Sequence, residues 1–97
     1  MHVSDFNMDF FSLKGKNAIV TGGNGGLGQA FSVALAKGGA NVLVPSLAED
    51  DGSTKALVEA CGVEYKFLEA NITAEGECKR VVETCVNTWG SVDILVN

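Results

Sequence analysis

The chain has one proline, one histidine, one tryptophan and one tyrosine among 97 residues. With a lone histidine (His2) and three cysteines, Cys61, Cys78 and Cys85, none paired as Cys-x-x-Cys, no metal or redox spacing is present. An odd and low cysteine count points to reduced thiols in a cytoplasmic protein. Basic runs are missing too: seven Lys and Arg lie scattered against twelve Asp and Glu, for a net charge of −5. That balance offers no electrostatic footprint for nucleic acid. No segment reaches the ~18 consecutive apolar residues of a membrane span. The acidic start, Met1-His-Val-Ser-Asp5, lacks the basic-then-apolar order of a secretory signal. The expectation is a cytoplasmic protein with no metal and no nucleic-acid or membrane partner.

What is abundant is glycine, twelve residues of it, and small aliphatics, with 46% hydrophobic and 20% charged residues. That is a globular balance, and the length allows one domain at most. Residues 1–12 read as a leader that docks through Phe6, Met8, Phe10 and Phe11. Residues 13–97 alternate strand and helix. Short apolar runs at Asn17–Thr21, Asn41–Val44, Tyr65–Ala70 and Val92–Asn97 predict four strands, the second closed by Pro45. Between them lie three helical patterns. The first carries Leu27, Ala30, Phe31, Ala34 and Leu35 at the spacing of one buried face. The second, Ser53–Cys61, sets Leu57, Ala60 and Cys61 on one side. The third places Cys78, Val81, Val82, Cys85, Val86 and Trp89 on a stripe, so its two cysteines are expected to pack. Thr73 is the expected N-cap of that helix, with Glu75 and Glu77 in its first turn. The fold class is α/β: a doubly wound parallel sheet of the Rossmann type, its N-terminal part only.

Between the first strand and first helix stands Thr21-Gly-Gly-Asn-Gly-Gly-Leu-Gly28, with five glycines in seven residues. In that position glycines serve three needs. The backbone turns sharply, approaches a pyrophosphate with no Cβ in the way, and lets helix pack on strand. The helix N-terminus then favours the negative charge. No Gly-Lys-Ser/Thr follows, which excludes a P-loop. The first strand also lacks the acidic residue that often leads into a methyltransferase's glycines.

Thr-Gly-x-x-x-Gly-x-Gly, filled by Thr21, Gly22, Gly26 and Gly28, resembles the cofactor motif of the short-chain dehydrogenase/reductase family. Leu13-Lys-Gly-Lys, Gly39-Ala-Asn-Val and Val92-Asp-Ile-Leu-Val-Asn97 resemble the flanking text of that family. Asn97 resembles the first residue of its Asn-Asn-Ala-Gly motif. The resemblance implies a nicotinamide dinucleotide held by Gly22, Asn24, Gly25, Gly26, Leu27, Gly28, Ser46, Asn71, Ile72 and Asn97. Asn71 stands where the family has an Asp for the adenine amino group. Ser46 stands where an acidic residue would mark NAD. Leu47 and Gly25 occupy the places of the two basic markers for NADP. With neither basic marker present, and Glu49, Asp50 and Asp51 close behind, NAD is favoured over NADP.

The family interconverts alcohols and ketones with a Ser and a Tyr-x-x-x-Lys pair, the Tyr as general acid/base. Neither is found here: Tyr65 is the only tyrosine, Glu69 follows it at i+4, and it is expected to pack. On this reading the 97 residues alone turn nothing over. Phe11-Ser-Leu-Lys-Gly-Lys and Gly26-Leu-Gly-Gln29 are similar to sugar-acid dehydrogenases such as gluconate 5-dehydrogenase and 2-deoxy-gluconate 3-dehydrogenase, although 3-oxoacyl reductases share them. The complete enzyme would act on a small carbonyl or hydroxyl substrate as a homo-oligomer, commonly a tetramer in the family. The alternatives are a non-catalytic or truncated nucleotide-binding module, or a fragment without a stable fold.

Overall fold

Strand and helix alternate throughout residues 12–97, the part of the chain that the computed structural model describes. The aromatic leader, with Phe6, Met8, Phe10 and Phe11, lies outside the described residues, as does His2. The elements are β1 (Asn17–Val20), α1 (Gly26–Lys37), β2 (Asn41–Ser46), α2 (Ser53–Glu59), β3 (Tyr65–Glu69), α3 (Glu77–Trp89) and β4 (Ile94–Val96). The strands form one sheet in the order β3-β2-β1-β4, every pair parallel. The doubly wound α/β architecture expected from the sequence is present.

Alternation along β1 and β2 divides the core into two layers, because successive side chains leave a strand on opposite faces. Ile19 and Leu43 point to one face and pack with Ala70, Val81 and Cys85, bringing in α3. Val20, Val42 and Val44 point to the other and pack with Ala36 and Val58 from α1 and α2. Both central strands are therefore buried on both sides, as parallel strands require.

Expectations about three helix faces and one cap are corrected. On α1 the buried residues are Ser32 and Ala36, with Leu35 partly buried against the core as expected, while Leu27 is 73% and Phe31 45% exposed and Ala30 and Ala34 are also exposed. The helix lies too close to the strands for large side chains. The Ser32 hydroxyl donates to the Gly23 carbonyl at 2.9 Å, and an added Cβ on Gly28 would collide with the Gly22 backbone. Small residues at i, i+4 and i+8 thus make the packing face, and the larger ones turn outward. On α2 the buried residues are Thr54 and Val58, with Leu57, Ala60 exposed and Cys61 half-buried. On α3, Cys85 is buried as expected, but Cys78 is exposed, as are Val82 and Val86.

Thr73 does not cap α3. It closes a turn on Asn71, whose Oδ1 accepts the Thr73 amide at 3.1 Å and its hydroxyl at 2.6 Å. The helix starts later, after Gly76 at φ 80°. Pro45 likewise does not end β2, which runs on to Ser46. The Pro45 carbonyl accepts the Gly22 amide at 3.0 Å, so this edge of the residue faces the point where β1 has already turned away. The Val20 carbonyl at the end of β1 accepts the Gly23 amide at 3.1 Å, so it is satisfied without an N–H from the proline.

A polar chain ties the opposite end of the sheet. The Asn17 amide donates to Asp93 Oδ2 at 2.9 Å, and Asn17 Nδ2 donates to Ser91 Oγ at 2.9 Å. Asn41 Nδ2 donates to Asn17 Oδ1 at 3.0 Å, and the Glu64 amide to Asn41 Oδ1 at 2.9 Å. Four strands are thereby laced at their starts. The Asn17 amide, then the Ser91 hydroxyl, hold the Asp93 carboxyl below the ordinary carboxylate range. A depressed folded pKa stabilises the fold above the unfolded value of about 3.9, and that contribution is lost as pH falls through the folded pKa. Asp93→Asn should therefore melt earlier than wild type at pH 7, and the gap should close on acidification below about pH 4. Thermal melts of the two proteins across that range would check it; a gap independent of pH counts against the linkage.

Candidate functional site

The chain builds outward from β1 through β2 to β3, then crosses to the other side of β1 for β4. This reversal opens a crevice beyond the carboxyl ends of β1 and β4, the place where open parallel sheets bind ligands. The Thr21 amide and hydroxyl both donate to the Val96 carbonyl, at 2.9 and 3.2 Å, which fixes the start of the glycine loop across the switch point.

Each glycine of the loop has a separate physical reason. Gly22 turns at φ 64° and Gly26 at φ 48°, in the left-handed region that side chains rarely adopt. Gly23 and Gly28 have no room: an added Cβ on Gly23 would stand 2.6 Å from Ser32 Oγ, and one on Gly28 would strike the Gly22 carbonyl. At Gly25 and Gly26 the reverse holds, with nothing within 4 Å of an added Cβ. The loop is therefore packed hard on its inner side and open on its outer side. No side chain caps α1, whose N-cap is Gly25, so its first-turn amides face the open side with the dipole's positive end.

The structure brings Gly22, Ser46, Asn71 and Ile72 together around one crevice of about 320 Å³, with Thr21, Pro45, Leu47 and Ala70. Gly25, Gly26 and Leu27 are exposed at the loop tip, and Gly28 lies behind them. Asn97 is apart from this group. It lines a small apolar cleft of about 70 Å³ between β4 and α3, with Ile72 and Thr21 shared between the two hollows. Ser46 is buried, and its Oγ accepts the Ala48 amide at 3.0 Å, which leaves its proton free to donate. Asn71 Oδ1 is already engaged by Thr73, so the turn occupies the acceptor that an adenine amino group would need.

The sequence reading missed how the segment after β2 is held. Asn24 Nδ2 donates to the carbonyls of Ala48 and Glu49 at 3.2 and 3.3 Å. Gln29 Nε2 donates to Ser53 Oγ and Thr54 Oγ1 at 3.1 and 2.9 Å. The Tyr65 hydroxyl donates to Asp50 Oδ2 at 3.0 Å. These partners are 15 to 25 residues apart in the chain, and no local pattern announces them. Tyr65 packs in the core as expected, yet it also pins this loop. Burial pushes its pKa up, with the Asp50 bond adding to the shift. A general acid/base needs the opposite change.

A twisted parallel sheet with this glycine loop at its switch point defines a Rossmann-type nucleotide-binding half-domain. The chain belongs to the short chain dehydrogenase family, whose model matches residues 16–97. It is 59% identical over 92 residues to the uncharacterized oxidoreductase YgcW of Escherichia coli, an alignment that takes in 95% of this chain and 35% of that protein. To the L-rhamnose 1-dehydrogenase (NADP(+)) of Thermoplasma acidophilum it is 37% identical, across 87% of this chain and 34% of that one. Among solved structures, the NADH-dependent reductase A1-R′ complexed with NAD superposes with a TM-score of 0.79 at 33% identity, covering 88% of this chain and 36% of that one. The chain thus spans about a third of the length of the relatives it matches.

The packed side of the loop gives a stability prediction. Gly28→Ala should cost about 1–3 kcal/mol, the usual penalty of overpacking, because the obstruction is backbone and cannot rotate away. Urea unfolding measures this directly; an unchanged midpoint would mean that α1 does not approach β1 this closely.

Proposed function

We propose that this chain holds the dinucleotide of an NAD-linked oxidoreductase that interconverts an alcohol and a ketone. The observation that carries the proposal is the pairing of an open cradle with a cation-free wall. Gly25 and Gly26 leave space where any Cβ would intrude, at the uncapped start of α1, and that space suits a pyrophosphate. The ribose side is walled by Ser46 and by Leu47, which is 65% exposed, and among the described residues neither Lys nor Arg lines the crevice. The adjoining hollow is acidic, with Glu49, Asp50 and Glu69. A hydroxyl at the ribose 2′ position fits beside a serine, whereas a 2′-phosphate meets no positive charge and several negative ones.

When bound, the cofactor supplies the hydride. The residues described here would bind and orient it: the glycine loop through its amides, Ser46 by donating toward the ribose, Ile72 beside the base with Asn71 offering its amide nitrogen rather than the engaged Oδ1, and Asn97 from the neighbouring cleft at the β4 end. The proton chemistry, substrate pocket and assembly belong on this reading to other parts of a longer enzyme, and a sugar or sugar acid is the substrate class that the sequence resemblance suggests. Leu27 and Phe31 on one layer, and Val82, Val86 and Leu95 on the other, are the apolar surfaces against which such parts would pack.

Calorimetric titration with NAD and NADP tests the assignment, with NAD expected to bind more tightly. Ser46→Asp should widen that preference by roughly ten- to a hundredfold, since one charge-assisted hydrogen bond is worth about 1.5–3 kcal/mol. An unchanged ratio removes Ser46 from the site, and binding of neither nucleotide removes the function. The 97 residues alone should show no turnover with either cofactor.

A further inference from the structure

We infer that Asn24 is a positioning residue for cofactor choice: its carboxamide clasps the loop after β2 to the glycine loop, and the clasped loop is what discriminates NAD from NADP. The inference rests on the NAD reading above and assigns the discrimination to a residue that does not itself line the crevice.

The orientation of the carboxamide follows from its partners. Nδ2 stands 3.2 Å from the Ala48 carbonyl and 3.3 Å from that of Glu49, so the reverse orientation would set oxygen against two oxygens. The other end, Oδ1, is buried and has no hydrogen-bond partner among the described residues. A buried amide oxygen left unpaired is a standing cost, and natural cores rarely keep one without a reason. What the arrangement secures is the path of residues 47–50, because two successive carbonyls are gripped from the cradle side.

One further tether acts on the same segment and another on the start of α2 just beyond it. Gln29, one turn into α1, holds Ser53 and the buried Thr54, and Tyr65 holds Asp50. The loop that forms the ribose wall is thus fixed from the glycine loop, from α1 and from β3 before any ligand arrives. Preorganisation of this kind sharpens discrimination, since a fixed wall cannot swing its carboxylates away from a phosphate or admit water to hydrate one. Released, the loop relaxes, NAD binds less well and NADP is penalised less.

The test uses the polypeptide at its native length and calorimetric titration with NAD and NADP. Asn24→Ala should narrow the NADP-to-NAD ratio of dissociation constants by roughly three- to tenfold, the effect of losing one or two neutral hydrogen bonds. A merely structural role would weaken both nucleotides alike and leave the ratio unmoved; that result overturns the inference and leaves the NAD reading standing. A wild type that binds neither nucleotide, or that prefers NADP, overturns the reading and the inference with it. If Asn24→Ala does not fold, Asn24→Ser, which keeps a polar loop residue too short to reach both carbonyls, decides by the same ratio.

Discussion

The close approach of α1 to the end of β1 governs everything at the crevice. Gly28 rests over the Gly22 carbonyl, and Ser32 bonds the Gly23 carbonyl at 2.9 Å. The helix can reach this position because its inner face is Gly, Ser and Ala. Once there, its N-terminus points at the switch point between β1 and β4, where Thr21 is already anchored to Val96. A larger residue at any inner position would lift the helix, and the amides of its first turn would no longer converge on one space. The apolar residues displaced outward by this constraint, Leu27 and Phe31, become surface as a direct consequence.

The two ends of the sheet are held by different chemistry. At the carboxyl ends the contacts are backbone turns and glycine packing, which leave donors free toward a ligand. At the amino ends Asn17, Asn41, Ser91 and Asp93 satisfy one another in a chain of hydrogen bonds. Side-chain bonding where no ligand is needed, and open amides where one is, suits a scaffold with a single functional edge.

Strand positions and the order of elements were legible in the sequence because alternation of short apolar runs with glycine-ended helices has few other solutions. The glycine loop was legible for a related reason: so many glycines at one strand end answer to steric demands that a turn alone does not make. Helix faces were legible only in part: Val81 and Cys85 of α3 are buried as its stripe predicts. Apolar periodicity in α1 points to a different inward stripe, but in a helix pressed against a strand, size matters more than polarity, and Ser32 outranks Phe31. Thr73 was a plausible cap by type, yet Asn71 two residues earlier competed for its amide and hydroxyl and won. The tethers through Asn24, Gln29 and Tyr65 lay beyond any local reading, since each joins segments brought together only by the sheet order.

By itself, then, the sequence determined the α/β class, the family and the position of the glycine loop, since these depend on short-range sterics and on periodicity, which neighbouring residues settle among themselves. The tertiary structure alone decided which faces are buried, how the loop after β2 is held, and which predicted residues share one crevice. Asn71 and Ser46 are drawn to the same hollow, while Asn97 falls in a separate one. Those outcomes depend on distances between elements, and such distances are set by the volume of the smallest side chains at each crossing.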